Sequence, residues 1–187
     1  MSRQFWTESL AWSTADGTAV SNTTTETILF PNVTIPANYM QDGRQLVQEA
    51  WGKYSTTNVS PAFRFRIRWG GVAGTVLADS GNLTSIAATN SNMIWYCRAR
   101  TTTRANGASG SLFTMGEAVI YGLTPPTVGS ATGAPALAPM SSGGITAPAA
   151  VSVDLTADTA LSLTTTQSAA AAANTQTGHN YYIDSPN

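Results

Sequence analysis

The chain has 187 residues, of which 42% are apolar and only 10% charged, and its formal net charge is −1. This length suits one domain, and the apolar fraction is large enough for a core, so a fully disordered chain is excluded. One cysteine and one histidine exclude an intrachain disulfide framework and an all-cysteine zinc site, and no apolar run approaches the ~18 residues that a membrane-spanning helix needs.

Residues 1–20 are predicted to form an N-terminal arm, extended or partly helical. A large apolar side chain left in water costs roughly 1.5–3 kcal/mol, and this arm carries several among its polar residues. We therefore expect the arm to dock on a partner of the chain, with folding back onto the chain's own domain as the alternative. The side chains that would make this contact are Phe5, Trp6, Leu10 and Trp12.

Residues 21–187 are predicted to form one β domain. The clearest strand pattern is Phe63–Trp69, where four apolar residues alternate strictly with three arginines. Asp42 and Gly43 form a turn dipeptide, and Gly52 interrupts an apolar stretch as a bulge or a close approach of another backbone would. Further strands are predicted at 25–30, 33–35, 45–54, 74–79, 93–103, 112–121, 150–154, 159–164 and 181–183. Strands in this number, without a long helix, indicate an all-β fold, an antiparallel β-sandwich of the jelly-roll type.

Residues 122–148 differ in composition from the rest of the domain, since they are rich in Gly, Ala, Pro, Ser and Thr and have few apolar anchors. A segment of this kind buries too little surface to fold alone. We predict an insertion in the domain that neighbouring subunits hold in place.

Basic residues are concentrated in the middle of the chain, where eight of the nine lie between Arg44 and Arg104. Two strands would carry five of them on outward faces, and neighbouring strands would merge the five into one patch. One interpretation is a site for an anionic partner, either nucleic acid or a sulfated polysaccharide. The five are Arg64, Arg66 and Arg68 on the first strand, and Arg98 and Arg100 on the second.

The other interpretation is structural: these arginines pair with carboxylates across strands or between subunits. It is favoured because the charges of the whole chain nearly cancel and because the aromatic residues of the first strand point to the opposite face. We therefore predict no nucleic-acid partner. The expected pairing carboxylates are Glu49, Asp79 and Glu117.

Residue types for catalysis are scarce in this chain. His179 has no nucleophile or orienting carboxylate at a recognised spacing, and Cys97 falls on a strand as a buried thiol. The carboxylate pairs that glycan cleavage would need are Asp154 with Asp158 and Glu49 with Glu117, but sequence spacing does not show that either pair converges. We predict no catalytic residue, no metal and no cofactor, and we do not expect an enzyme.

Seven short segments, spread over about residues 20–185, are similar to those of a known class of proteins. They are Thr25–Leu29, Thr34–Asn38, Asp42–Arg44, Glu49–Ser55, Phe65–Gly71, Gly74–Asp79 and Ala160–Thr164. Together they resemble phage virion proteins with a trimeric jelly-roll domain, which are found as head decoration proteins and as tail appendages.

The resemblance implies a homotrimer in a virion, most often a capsid decoration (cement) protein on the outer surface of the head. Its partner would then be the major capsid protein of the same virion, with no membrane involved. The alternative is a host-recognition module of a tail or head fibre that binds a surface glycan. A glycan-degrading enzyme is a third and less favoured interpretation.

Overall fold

The computed structural model describes residues 7–57, 61–85, 89–121, 136–142 and 147–186. Within these ranges the chain forms strands and loops, without a helix. The strands are β1 Thr7–Trp12, β2 Val20–Ser21, β3 Thr27–Ile28, β4 Val33–Ile35, β5 Gln45–Thr56, β6 Ala62–Trp69, β7 Thr75–Asp79, β8 Leu83–Thr84, β9 Asn90–Ala105, β10 Gly110–Ile120, β11 Ala136–Ser141, β12 Val151–Val153, β13 Thr159–Gln167 and β14 Thr175–Pro186.

The described strands pair antiparallel along one continuous path, in the order β1-β14-β5-β9-β10-β11-β7-β6-β13-β3. The four remaining short strands pair with members of this path: β2 with β14, β4 with β13, β8 with β6 and β12 with β10. Neighbours on the path are mostly distant in sequence, so tertiary pairing rather than local hairpins organises the sheet.

The path folds over on itself, so its two halves face each other as the layers of a sandwich. Phe65 on β6 and Trp95 on β9 lie four strands apart along the path, which is about 19 Å in a flat sheet. Their ring centroids are nevertheless 5.1 Å apart. Both rings are fully buried, and so is most of the apolar side of each layer. The all-β antiparallel sandwich predicted from the sequence is confirmed.

Alternation along the long strands decides which side chains reach the core. Phe63, Phe65 and Ile67 of β6 are buried, and the arginines between them point outward. Between Met93 and Thr103 the buried residues of β9 are odd-numbered, such as Trp95 and Cys97. Because successive side chains of a strand point to opposite faces, the even-numbered residues of this stretch lie on the outside of the sandwich.

Gly52 marks a close approach, as its position in the sequence predicted. It pairs directly with Gly178 of β14. A Cβ at position 52 would lie 2.5 Å from the ring of Trp95, and a Cβ at position 178 would lie 2.2 Å from the ring of Phe30. The absence of a side chain at both positions therefore leaves the space that the rings of Trp95 and Phe30 occupy in the core.

Four strands lie where the sequence predicted no regular strand: the two-residue strands β2 and β8, and the longer β1 and β11. β1 falls in the arm, where an extended or partly helical segment was predicted, and it pairs with β14 at the end of the path. β11 falls inside the predicted insertion at 122–148, the rest of which lies mostly outside the described residues, and it pairs with β10 over six residues. Pro139 is tolerated in β11 because β7 pairs with the other side of this strand only at Ser141.

Candidate interaction surfaces

The three arginines of β6 bind two carboxylates of the same chain. Arg64 forms a bidentate ion pair with Asp79, with hydrogen bonds of 2.7 Å and 2.6 Å. Arg66 bridges Asp79 at 2.9 Å and Glu26 at 2.6 Å. Arg68 holds Glu26 through two nitrogens, at 2.5 Å and 2.6 Å. Positive and negative groups therefore alternate across this outer surface, and most of its charge is neutralised within the chain.

Both carboxylates of this network are removed from water. The side chain of Asp79 is 4% exposed and that of Glu26 is 15% exposed. Burial raises the pKa of each carboxyl, but the hydrogen bonds from the arginines outweigh it, helped by the hydroxyl of Thr164 at Glu26 and the backbone N–H of Gly81 at Asp79. The pKa of each carboxyl consequently lies below its ordinary value, which keeps both groups ionised.

The single patch of five arginines considered from the sequence does not form, because β6 and β9 lie in opposite layers. Asp79 was predicted as a pairing carboxylate, and this prediction is confirmed. Glu26 was missed. It precedes Arg68 by 42 residues, and it stands beside a strand of only two residues, so no local pattern marks it.

The second layer carries a broad outer face, formed by the side chains of β14, β5, β9, β10 and β11 that point away from the core. Directly opposed residues of paired strands lie on the same face, so the register arranges them in rows. The first row is Asn180, Trp51, Tyr96, Val119 and Leu137; the second is Tyr182, Glu49, Arg98, Glu117 and Pro139; the third is Asp184, Val47, Arg100 and Met115. Lys53 and Ile94 form a further pair beside the first row. We call these residues together the outer face.

The centre of the outer face is held together within the chain. The ring of Trp51 lies 5.0 Å from that of Tyr96 and 6.0 Å from that of Tyr182, with tilts of 37° and 32°. Glu49 forms an ion pair with Arg98, at 2.8 Å between Oε1 and Nε, as predicted for this carboxylate. Burial, followed by a hydrogen bond to Glu49, raises the pKa of Tyr182 to about 12. These groups form a packed and hydrogen-bonded centre.

At the periphery of the outer face, apolar side chains are exposed and two charged residues lack an ion pair within the described chain. Ile94 is 56% exposed, Met115 43% and Leu137 61%. Arg100 and Glu117 make no ion pair with any residue that the structure describes. The pairing predicted for Glu117 is therefore not formed across strands within the described residues, and its pairing between subunits stays a prediction. Alternation alone could place Arg98 and Arg100 on this face, but the apolar residues come from three strands that only the sheet brings together.

Part of the N-terminal arm is joined to the chain's own sheet. Ser9 donates a hydrogen bond to Asp184 at 2.6 Å, and the backbone N–H groups of Ser13 and Gly17 donate to carbonyls of β14 at 2.7 Å and 2.8 Å. Tyr39 donates to Glu8 at 2.7 Å. The arm from residue 7 onward is therefore the edge of the sandwich.

The four apolar side chains predicted to contact a partner fall into three groups. Leu10 is half-buried and packs against the core. Trp12 is 66% exposed, on the edge strand β1. Phe5 and Trp6 lie outside the described residues. Of the predicted contact residues that the structure describes, Trp12 is therefore the one presented to solvent.

The residues considered for chemistry have structural partners. His179 Nδ1 lies 2.7 Å from a carboxylate oxygen of Asp16. The thiol of Cys97 is buried, as predicted, and burial raises its pKa to about 12. Its sulfur lies 3.2 Å from that of Met140. A thiol in this environment is protonated at neutral pH and is a poor nucleophile.

The carboxylates considered for glycan cleavage have different surroundings within the chain. Asp154 accepts hydrogen bonds from the backbone N–H and the hydroxyl of Thr156, and Asp158 accepts one from the backbone N–H of Ala37 at 2.8 Å. Glu49 and Glu117 stand on either side of Arg98 in one row of the outer face. Over the described ranges, no group of three potential metal ligands converges, and no helix could span a membrane.

Comparisons with known proteins assign neither a family nor a function to the chain. No protein-family model matches the chain, and no curated protein matches it. Among solved structures, the chain is similar to the CBM2 module of the evolved Dit of Lactobacillus casei BL23 phage J-1. The identity is 11%, the TM-score is 0.33, and the match covers 82% of this chain and 67% of that one. A similarity at this level assigns no function to the chain.

Proposed function

We propose that this chain is a structural protein of a phage virion, a capsid decoration (cement) protein that acts as a homotrimer and without catalysis. The observation that carries the proposal is Trp12, a large aromatic side chain that is 66% exposed on the edge strand of the sheet. The sequence resemblance described above supports the virion setting. The partner would be the major capsid protein of the same head.

The geometry of β1 suits attachment to another protein. One side of β1 pairs with β14, and this strand ends the hydrogen-bonded path of the described residues. An edge strand offers backbone donors and acceptors to a further strand, and a tryptophan beside it resembles the aromatic anchors that dominate binding energies. Binding of this kind, made only to the assembled shell, raises shell stability with occupancy.

The Trp12→Ala variant tests this proposal. Because Trp12 is mostly exposed, its removal is expected to leave folding intact and to weaken binding to capsids that lack the protein by about tenfold or more. Occupancy can be measured by co-sedimentation with such capsids. The matched control is Val72→Ala, since Val72 is also an exposed apolar residue, 37% exposed, in the loop between β6 and β7.

Deletion of residues 2–6 provides a second test, because it removes Phe5 and Trp6 but leaves β1 in place. A folded protein that no longer binds capsids is the expected result. Undiminished capsid binding by both this deletion and Trp12→Ala would reject the arm as the anchor. Deletion of residues 2–12 would be less informative, since it also removes the edge strand.

The alternative function, a host-recognition module that binds a glycan, is favoured by one observation. Trp51, Tyr96 and Tyr182 form an aromatic cluster beside Glu49 and Arg98. Sugars are bound by aromatic rings together with hydrogen-bonding groups. The rings are, however, packed against one another at 5.0 Å and 6.0 Å, which occupies faces that a sugar would need. Decoration therefore remains the preferred proposal.

A further inference from the structure

The outer face leaves apolar groups in water at its periphery. Ile94, Met115 and Leu137 lie on three adjacent strands, and each is between 43% and 61% exposed. Two of the three are aliphatic, and aliphatic side chains do not stack on sugar rings. This composition, with tyrosine, tryptophan, methionine and arginine around it, is typical of protein–protein interfaces.

The charges of the outer face are balanced. Three carboxylates and three cations belong to it, so neither an anionic nor a cationic polymer would be complementary to the whole face. Arg100 and Glu117 make no ion pair within the part of the chain that the structure describes. A second copy of the same face would offer each of them a group of opposite charge. The charged groups are Glu49, Glu117, Asp184, Lys53, Arg98 and Arg100.

The size and shape of the face fit a contact between proteins. Five strands about 4.8 Å apart, and six residue steps of about 3.4 Å along them, give a surface of about 24 Å by 20 Å. That projected area is of the same order as the ~800 Å² that each partner buries in a standard interface. A shallow depression lined by Arg98, Arg100, Met115 and Glu117 interrupts the surface and could receive a side chain.

From these features we infer that the outer face is the surface through which copies of this chain associate. The inference rests on the self-assembly proposed above and names the surface that makes it. The apolar periphery is covered by the neighbouring copy, and Arg100 and Glu117 find partners there. Trp12 is paired with Tyr182 and therefore lies on the same side of the sheet, at the β14 edge of the outer face. The inferred contact between copies involves the opposite end of the face, around Ile94 and Leu137, and leaves that edge to the capsid.

Sedimentation of purified variants tests the inference. Wild-type protein is expected to sediment with the mass of a trimer at micromolar concentration. Ile94→Glu and Leu137→Glu each place an unpaired carboxylate in the contact and are expected to weaken association at least about thirtyfold, releasing folded monomer. Val72→Glu, a matched change outside the outer face, is expected to assemble as the wild type does.

A second measurement does not depend on how the variants fold. Hydroxyl-radical footprinting of the wild type, across a dilution series that dissociates the assembly, is expected to show Met115 protected at high concentration and oxidised at low concentration. A wild type that stays monomeric, assembly that survives both glutamate substitutions, or Met115 that reacts equally at all concentrations would overturn the inference. Binding of a soluble glycan to a monomeric chain, lost in Tyr96→Ala, would overturn it in favour of the glycan site.

The two proposals fail separately. A monomer that still binds capsids would retain decoration and reject the outer face as the contact between copies. An assembly that requires Ile94 and Leu137 but does not bind capsids would retain the contact and reject decoration.

Discussion

The Asp79→Ala variant is expected to lose about 3–5 kcal/mol of folding stability, the range found when one partner of a buried ion pair is removed. The side chain of Asp79 is 4% exposed, and it accepts hydrogen bonds from Arg64, from Arg66 and from the backbone N–H of Gly81. Its removal leaves Arg66, which is 15% exposed, with one carboxylate partner where it had two. Denaturant unfolding at fixed protein concentration measures the loss. Asp158→Ala is the control, since Asp158 is exposed and receives a single backbone N–H, and its loss is expected to be about 1 kcal/mol or less.

The same network predicts how stability depends on pH. The folded state lowers the pKa of Asp79 and of Glu26 below their ordinary values of 3.8 and 4.5. The ion pairs therefore contribute fully above those ordinary values, and the contribution is lost as the pH falls through the lower folded-state pKa values. The wild type is expected to lose stability steeply below about pH 4, and Asp79→Ala should show a shallower acid loss. Equal acid dependence of the two proteins would contradict the assigned role of Asp79.

The Gly52→Ala variant is expected to cost more than about 3 kcal/mol or to prevent folding, because overpacking of a rigid core is strongly destabilising. Its Cβ would lie 2.0 Å from the carbonyl oxygen of Thr177 and 2.5 Å from the ring of Trp95. The first contact is with the backbone of the paired strand β14, so no change of side-chain conformation relieves it. Trp95 is fully buried and cannot move outward. The loss of soluble folded protein, or a fall in the unfolding midpoint, is the measurement.

Gly43→Asn is the matched control for that substitution. Gly43 has a φ of +80°, and nothing lies within 4 Å of the position its Cβ would take. Asparagine tolerates this backbone conformation better than other non-glycine residues, so a loss of about 1 kcal/mol or less is expected. If Gly52→Ala unfolds at the same midpoint as Gly43→Asn, the close approach of β5 to β14 and Trp95 does not limit packing.

Much of the fold could be read from local patterns. The alternation in Phe63–Trp69 identified a strand, and it also identified which of its faces is buried, because side chains of a strand must alternate whatever the strand pairs with. Gly43 stands at the predicted turn with a positive φ. Gly52 marked a close approach for a similar reason, since the absence of a side chain is visible in the sequence before its neighbours are known.

Other features depend on which strands meet. The sequence could not show that β1 pairs with β14, where Ser9 meets Asp184 at a separation of 175 residues. Nor could it show that β11, within a Gly- and Pro-rich segment, completes the sheet beside β10. These strands have weak patterns of their own, and the hydrogen bonds of a long neighbour supply what their composition does not.

By itself, then, the sequence determined the all-β class, the buried and exposed faces of the long strands, and the outward position of the five arginines, since all of these follow from the periodicity of an extended chain. Only the tertiary structure decided that Arg64, Arg66 and Arg68 are all paired with Glu26 and Asp79, whereas Arg98 and Arg100 lie in the other layer, on a face where Arg100 and Glu117 have no ion pair within the described residues. The reason is physical: alternation fixes a side chain's direction along its own strand, but its partners come from strands whose order is set by long-range pairing and by the folding of the sheet into two layers.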